Sequence, residues 1–336
     1  MRRPLLVTGL FLWGATACGG ESRAPDSAQP PQTPSTTPAA DVSHGEATIG
    51  SADTAPVDPN APPRTAVTLR RVRIEVRHAT MTIAPGVTYE AWTFDGRVPG
   101  PALRATAGDT INFVLINRSP MPHSMDFHAA EIAPNRAYVN VAPGDSVQYR
   151  FVARVPGAFL YHCGTAPVAM HIANGMYGAI IVDPRRPRTP AREFVLVQSE
   201  FYARKGGGPD TSLQALDWGK LLGLAPDHVV FNGRAAQYAA APLSVLVGEP
   251  LRVYVVNAGP NRTSAFHVVG AIFDRVYLDA SSAPTLNGVQ TVDVPVGGGA
   301  IFEVRLVEPG DYPFVTHAFA DATKGAVGVF RATERP

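Results

Sequence analysis

Beyond residue 66 the chain is dominated by short runs in which apolar and polar side chains alternate. Arg70-Arg71-Val72-Arg73-Ile74-Glu75-Val76-Arg77 alternates with a period of two. That is the pattern of a strand with one buried face. Ala107-Gly108-Asp109-Thr110-Ile111-Asn112-Phe113-Val114-Leu115-Ile116-Asn117 opens on a turn signal and then alternates in the same way. Glycine and proline, at 31 and 32 residues, supply turns between such runs throughout the chain. The pattern predicts many short antiparallel strands. Residues 212–222 are the one stretch that reads as a short helix.

The strand pattern occurs twice. Val247-Gly248-Glu249-Pro250-Leu251-Arg252-Val253-Tyr254-Val255-Val256-Asn257 repeats the turn, the alternation and the closing asparagine. Phe94-Asp95-Gly96-Arg97 returns as Phe231-Asn232-Gly233-Arg234, and Phe127-His128 as Phe266-His267. Pro156-Gly157, a strand and His162 return as Pro309-Gly310, a strand and His317. Two long copies point to a duplicated domain rather than to a solenoid. The expected fold is therefore all-β, with two tandem Greek-key β-sandwich domains over residues 66–185 and 192–333. The stiff, proline-rich stretch 184–190 joins them.

The N-terminal region reads differently. Arg2 and Arg3, an apolar run over residues 5–13 and Ala15-Thr16-Ala17 before Cys18 make a secretory signal over residues 1–17. The run is too short to span a bilayer, which takes about 20 residues. Ala-Thr-Ala-Cys resembles a bacterial lipobox, which implies lipidation at Cys18; an ordinary signal cut near Ala17 is the other reading. Gly19 rather than Asp favours the outer membrane among such lipoproteins. Residues 18–65 hold many prolines and no aromatic residue, the composition of a flexible tether. His44 there reads as solvated. Lys plus Arg (29) nearly equals Asp plus Glu (28), so no basic excess points to nucleic acid. Two cysteines exclude a disulfide framework, so Cys163 needs its own explanation.

That explanation is a cluster of metal ligands. Seven residues separate Cys163 from His171, and four separate His171 from Met176. With His123 they offer two imidazoles, one thiolate and one thioether, the donor set of a blue-type copper site with a weak axial Met. Successive strand residues face opposite ways, so His162 points away from a metal held by Cys163. His128 can serve the same far side. In the repeat His317 stands at the place of His162, and Ala318 at that of Cys163. Three histidines, His128, His162 and His317, suit a catalytic metal with an open position. The spacing leaves open whether His317 reaches the other two within one chain, and a site shared between subunits is the natural alternative. His78 and His228 have no partner in the pattern and read as structural or surface residues.

These motifs are specific as a set. His123-x2-Asp126-x-His128, His162-Cys163-x7-His171-x4-Met176, Ser264-Ala265-Phe266-His267-Val268-Val269-Gly270 and Thr316-His317 resemble copper-containing nitrite reductase across both repeats, and the lipid-anchored branch most closely. The resemblance implies two cupredoxin domains per subunit and a homotrimer. It implies type 1 copper on His123, Cys163, His171 and Met176, and type 2 copper on His128 and His162 with His317 of a neighbouring subunit. Asp126 and His267 resemble the family's proton-delivery pair, and Val269 stands where many members carry Ile beside the substrate. The implied reaction is one-electron reduction of nitrite to nitric oxide and water, a step of denitrification. Implied too are a separate electron donor, either a cupredoxin or a c-type cytochrome, and an extracytoplasmic, lipid-anchored location on the periplasmic side or the cell surface. The rival readings are a two-domain multicopper oxidase, a non-catalytic copper carrier, and reduction of another small oxyanion or hydroxylamine. The first needs many His-x-His pairs, and the nine histidines here form none. Loss of any one of His128, His162 and His317 would favour the second.

Overall fold

A computed structural model describes residues 55–66, 68–205 and 213–335. The signal segment 1–17, Cys18, His44 and the tether up to residue 54 lie outside the described residues. The rest of the tether stretch runs along the second half of the chain. Val195 N–H donates to Pro59 O at 2.7 Å, Ala61 N–H to Glu193 O at 3.2 Å and Tyr238 Oη to Val57 O at 2.8 Å. Backbone pairing with a strand edge thus holds a segment whose composition reads as unstructured.

Among the described residues the fold is an all-β sandwich architecture built from four sheets. A six-stranded sheet, four strands from the first half and two from the second, has the spatial order Ala203–Lys205, Leu213–Leu216, Val87–Phe94, Leu69–Ala84, Thr110–Asn117, Ser146–Val152. A four-stranded sheet, Leu103–Thr106, Tyr177–Asp183, Gly157–His162, Asp126–Phe127, packs on it. Ile74, Val76, Phe94, Phe113, Phe127, Tyr161, Ile180 and Val182 fill the space between them. The second half repeats the plan around Phe231, Val253, Phe266, Phe302, Phe314 and Phe330. A third apolar cluster draws on both halves, from Tyr89, Leu160 and Ile181 to Val197, Tyr254 and Ile301.

The repeat seen in the residues is also a repeat of register. Leu69–Ala84 runs parallel to Thr110–Asn117, and Arg192–Phe201 runs parallel to Leu251–Gly259. Asp95 and Gly96 take φ of 54° and 72°, and Asn232 and Gly233 take 54° and 80°. Asp, Asn and Gly are the residues that tolerate this left-handed region in a tight turn. The Asp95 carboxylate accepts from Glu75 N–H, and the Asn232 amide oxygen accepts from Val197 N–H, each at 2.7 Å.

The expected helix over 212–222 is only partly a helix. Leu213–Leu216 is a strand, parallel to Val87–Phe94 of the first half through Leu213↔Thr88 and Gln214↔Tyr89. The helix is confined to Trp218–Leu222, where the Asp217 side chain accepts from Lys220 N–H at 2.9 Å. An N-cap aspartate marks a helix start, and an open strand edge claims the residues before it.

Candidate metal centres

The first cluster is assembled by an isolated bridge, one strand and the loop and short helix that follow it. His123 pairs with Val141 in an isolated bridge, Cys163 directly follows the Gly157–His162 strand, and His171 lies in the last turn of the Val168–Ala173 helix. Backbone bonds close the loop: Cys163 N–H donates to Met176 O and Met176 N–H to His171 O, both at 3.1 Å. His123 Nδ1 and His171 Nδ1 are 3.1 Å apart, and the Cys163 Sγ lies 3.8 Å from the former and 3.2 Å from the latter. Ser124 N–H donates to that sulfur at 3.3 Å. All four expected ligands are buried, Met176 among them. Burial first, then the neighbouring His171 and His78, pushes His123 down to about 3. Burial and His78 bring His171 down to about 4. Two neutral imidazoles thus turn lone pairs toward a buried sulfur. Two imidazoles with a thiol that binds metal as its thiolate, and a thioether nearby, fit a borderline or soft cation such as copper.

The second cluster lies on the opposite face of the same strand. Asp126 pairs with His162, so both sit at the end of one antiparallel ladder. His162 Nε2 is 3.1 Å from His128 Nε2 and 3.9 Å from Asp126 Oδ2. His162 Nδ1–H donates to Cys163 O at 2.9 Å, and His128 Nδ1–H to Gly297 O at 3.0 Å. A carbonyl on Nδ1 assigns the proton there and leaves Nε2 with a free lone pair. Both free lone pairs face each other beside a carboxylate, which again fits a metal. Burial lowers His162, opposed by its bond to the Cys163 carbonyl.

His267 and His317 form a separate pair in the second half, with Val269 two residues beyond His267. The His267 and His317 rings meet edge to face with centroids 5.4 Å apart. His267 Nδ1–H donates to Gln290 O at 2.7 Å, which leaves its Nε2 free as well. Val269 is 43% exposed, one residue beyond the Ser264–Val268 strand, on the side of His267 by strand alternation. Among the described residues, the donor atoms that converge on His162 are those of His128 and Asp126, and His317 is not one of them. His317 is exposed at the end of the Gly310–Thr316 strand.

Several contacts have no signature in the residue pattern. Gly297, from the second half, positions His128 of the first through its carbonyl, and a Cβ there would meet His128 Cε1 at 3.4 Å. His78, read as structural or surface, brings its Nε2 to 3.5 Å from His123 Nε2 and stacks on Trp92, rings 8° from parallel. Trp92 in turn meets the His171 and His123 rings edge-on. The pairing of Leu69–Ala84 with Val87–Phe94, through His78↔Trp92, could have placed the two together, but nothing local ties either to His123. His228 joins neither cluster.

The chain is similar in sequence and fold to known proteins. Residues 75–187 match the multicopper oxidase family. A copper-containing nitrite reductase of Neisseria gonorrhoeae is 40% identical over 349 residues, 97% of this chain and 86% of that protein. One from Neisseria meningitidis serogroup B is 44% identical over 265 residues, 77% of this chain and 67% of its own length. The solved copper nitrite reductase of Nitrosomonas europaea is 37% identical with a TM-score of 0.73, over 79% of this chain and 94% of that one.

Proposed function

Because this chain belongs to the copper-containing nitrite reductase family, we propose that its two clusters divide one reaction between them. The protein is a copper enzyme that reduces nitrite: nitrite, one electron and two protons give nitric oxide and water. His123, Cys163, His171 and Met176 hold type 1 copper. His128 and His162, with His317 of a second copy, hold type 2 copper. Copper in these places supplies a one-electron redox centre and a Lewis acid for the nitrite anion. The observation that carries this reading is the pair of facing Nε2 atoms, 3.1 Å apart, next to a carboxylate and one peptide bond from Cys163.

The chain's own groups then do the proton work. Asp126 lies beside the facing nitrogens of His162 and His128. It can hydrogen-bond the bound anion and give a proton to the oxygen that leaves as water. His267, which stands beside His317 on the second copy and has its Nδ1–H tied to Gln290 O, leaves Nε2 able to take up a proton and pass it to the bound anion. Val269 forms an aliphatic wall next to His267. The peptide link between His162 and Cys163 is a covalent path between the clusters.

The chain works as a homotrimer, secreted by its signal segment and anchored outside the cytoplasm through a lipid on Cys18. The chain carries two copper-binding repeats, over 66–185 and 192–333, and takes electrons from a separate cupredoxin or c-type cytochrome. The multicopper oxidase reading lacks the His-x-His pairs its chemistry requires.

The test is nitric oxide release at an electrode, without oxygen, from the copper-loaded protein given nitrite and a chemical reductant. A nitrite-dependent signal that disappears in His317→Ala is expected. Parent-level release from that variant would remove His317 from the catalytic site.

A further inference from the structure

The second half keeps the frame of the first copper cluster and fills it with different residues. Phe127 pairs with Tyr161 and Asp126 with His162; in the second half Phe266 pairs with Thr316. Setting Phe127 on Phe266 puts His162 on His317 and Cys163 on Ala318. His123 stands four residues before Phe127, and Arg262 four before Phe266. His171 stands four residues before Gly175 (φ 112°), and Asp321 four before Gly325 (φ 118°). Each of these glycines closes a short helix, its N–H donating to Ile172 O or to Ala322 O. The positions of His123 and His171 are therefore those of Arg262 and Asp321. These two side chains also meet, with Arg262 Nε donating to Asp321 Oδ2 at 2.9 Å. The Asp321 side chain is 2% exposed.

We propose that the Arg262–Asp321 ion pair is a positioning device for His317. It ties down in the second half the loop that a metal ties down in the first. The proposal rests on the reading of His317 as a type 2 copper ligand. His317 directly precedes the loop that carries Asp321, and its N–H donates to Ala265 O at 2.7 Å. Arg262, Asp321, Ala265 and Ala318 line one open cleft of ≈ 420 Å³. The Arg262 end is firmly set. The backbone N–H groups of Asn261 and Arg262 both donate to the buried Glu200 carboxylate, which also accepts from Tyr202 Oη. Asn261 Nδ2 donates to Tyr202 Oη at 2.8 Å and to Leu221 O at 3.1 Å. A charge-assisted bond onto a buried carboxylate transmits that rigidity to the loop. A ligand shared between two chains needs it, because a metal site tolerates only about 0.5 Å of misplacement.

The experiment uses the full chain loaded with copper. Type 2 copper is read by electron paramagnetic resonance, with the thiolate absorption of type 1 copper as internal standard. Nitrite KM is measured alongside. R262M and D321N are expected to lose at least threefold in type 2 signal at copper concentrations that saturate the parent, with type 1 absorption unchanged. R262K, which keeps the charge, is expected to restore most of the signal. Should a single variant fail to fold, R262M/D321L removes both charges together and is expected to show the same selective loss. Parent-level type 2 signal and KM in these variants, with the signal absent in H317A, would overturn the positioning role. A type 2 signal that survives in H317A would instead overturn the reading of His317 on which it rests.

Discussion

A histidine ring is committed by whatever holds its second nitrogen. His128, His162 and His267 each donate Nδ1–H to a carbonyl, those of Gly297, Cys163 and Gln290, so each presents Nε2. His123 is turned the other way, with Nδ1 toward Cys163 and Nε2 toward His78. A ligand that donates its distal N–H to an acceptor becomes a better electron donor and favours the more oxidised metal. His78→Phe keeps a ring to stack on Trp92 and removes the acceptor. The type 1 reduction potential is expected to rise in that variant, and copper affinity to fall by about 10-fold. His78→Gln, which retains an acceptor, should track the parent. A redox titration followed at the thiolate absorption band decides this, and an unchanged potential in His78→Phe would count against it.

At the scale of elements the two halves use one turn at different depths. The Asn232 side chain is buried and saturated: it accepts from Val197 N–H and donates to Val195 O at 2.9 Å and to Tyr238 Oη at 2.7 Å. Asp95, its counterpart, is exposed, and its carboxylate accepts from Glu75 N–H. Asn232→Ala leaves buried backbone groups unpaired, at about 1–3 kcal/mol each, and places alanine at positive φ, at a further ~1 kcal/mol. Its expected cost is roughly 3–7 kcal/mol, against about 1–2 kcal/mol for Asp95→Ala, whose turn is exposed to water. Thermal melts of the two variants give the comparison, and equal losses would contradict it. The Leu213–Leu216 strand belongs to the same scale. Its four residues were not legible as a strand because their partner, Val87–Phe94, lies in the other half.

At the scale of the whole molecule, buried charge as well as apolar surface joins the halves. Arg104 reaches Asp183 and Glu193 at 2.8 and 2.6 Å, and Arg252 reaches Glu193 and Glu303 at 2.8 and 2.7 Å. Burial by itself would raise Glu193, but the hydrogen bonds from Arg104 and Arg252 outweigh it and hold the carboxyl below its ordinary 4.5. A depressed folded pKa means stability that is complete above 4.5 and disappears as pH falls through the lower, folded value. Glu193→Gln is therefore expected to cost about 3 kcal/mol near neutral pH, because it uncouples two buried guanidinium groups. The deficit should shrink as pH drops below 4.5. Melting temperatures of parent and variant across that range test the sign, and a gap that widens in acid would refute it.

The residue order by itself determined whatever depends on short spacing along a strand or loop. It set the alternation of the strands, the doubled turn and closing asparagine, and the Cys163–His171–Met176 loop. It also put Cys163 and His162 on opposite faces, because neighbouring strand residues must diverge. Only the tertiary structure decided the contacts between segments distant in the chain. These are His78 on His123, the Gly297 carbonyl on His128, the Gln290 carbonyl on His267 and the Arg262–Asp321 pair in the place of two histidines. The physical reason is that a backbone carbonyl belongs to every residue type and leaves no trace in composition. The Arg262–Asp321 pair, likewise, falls on the positions of His123 and His171 only once strand register has aligned the two halves.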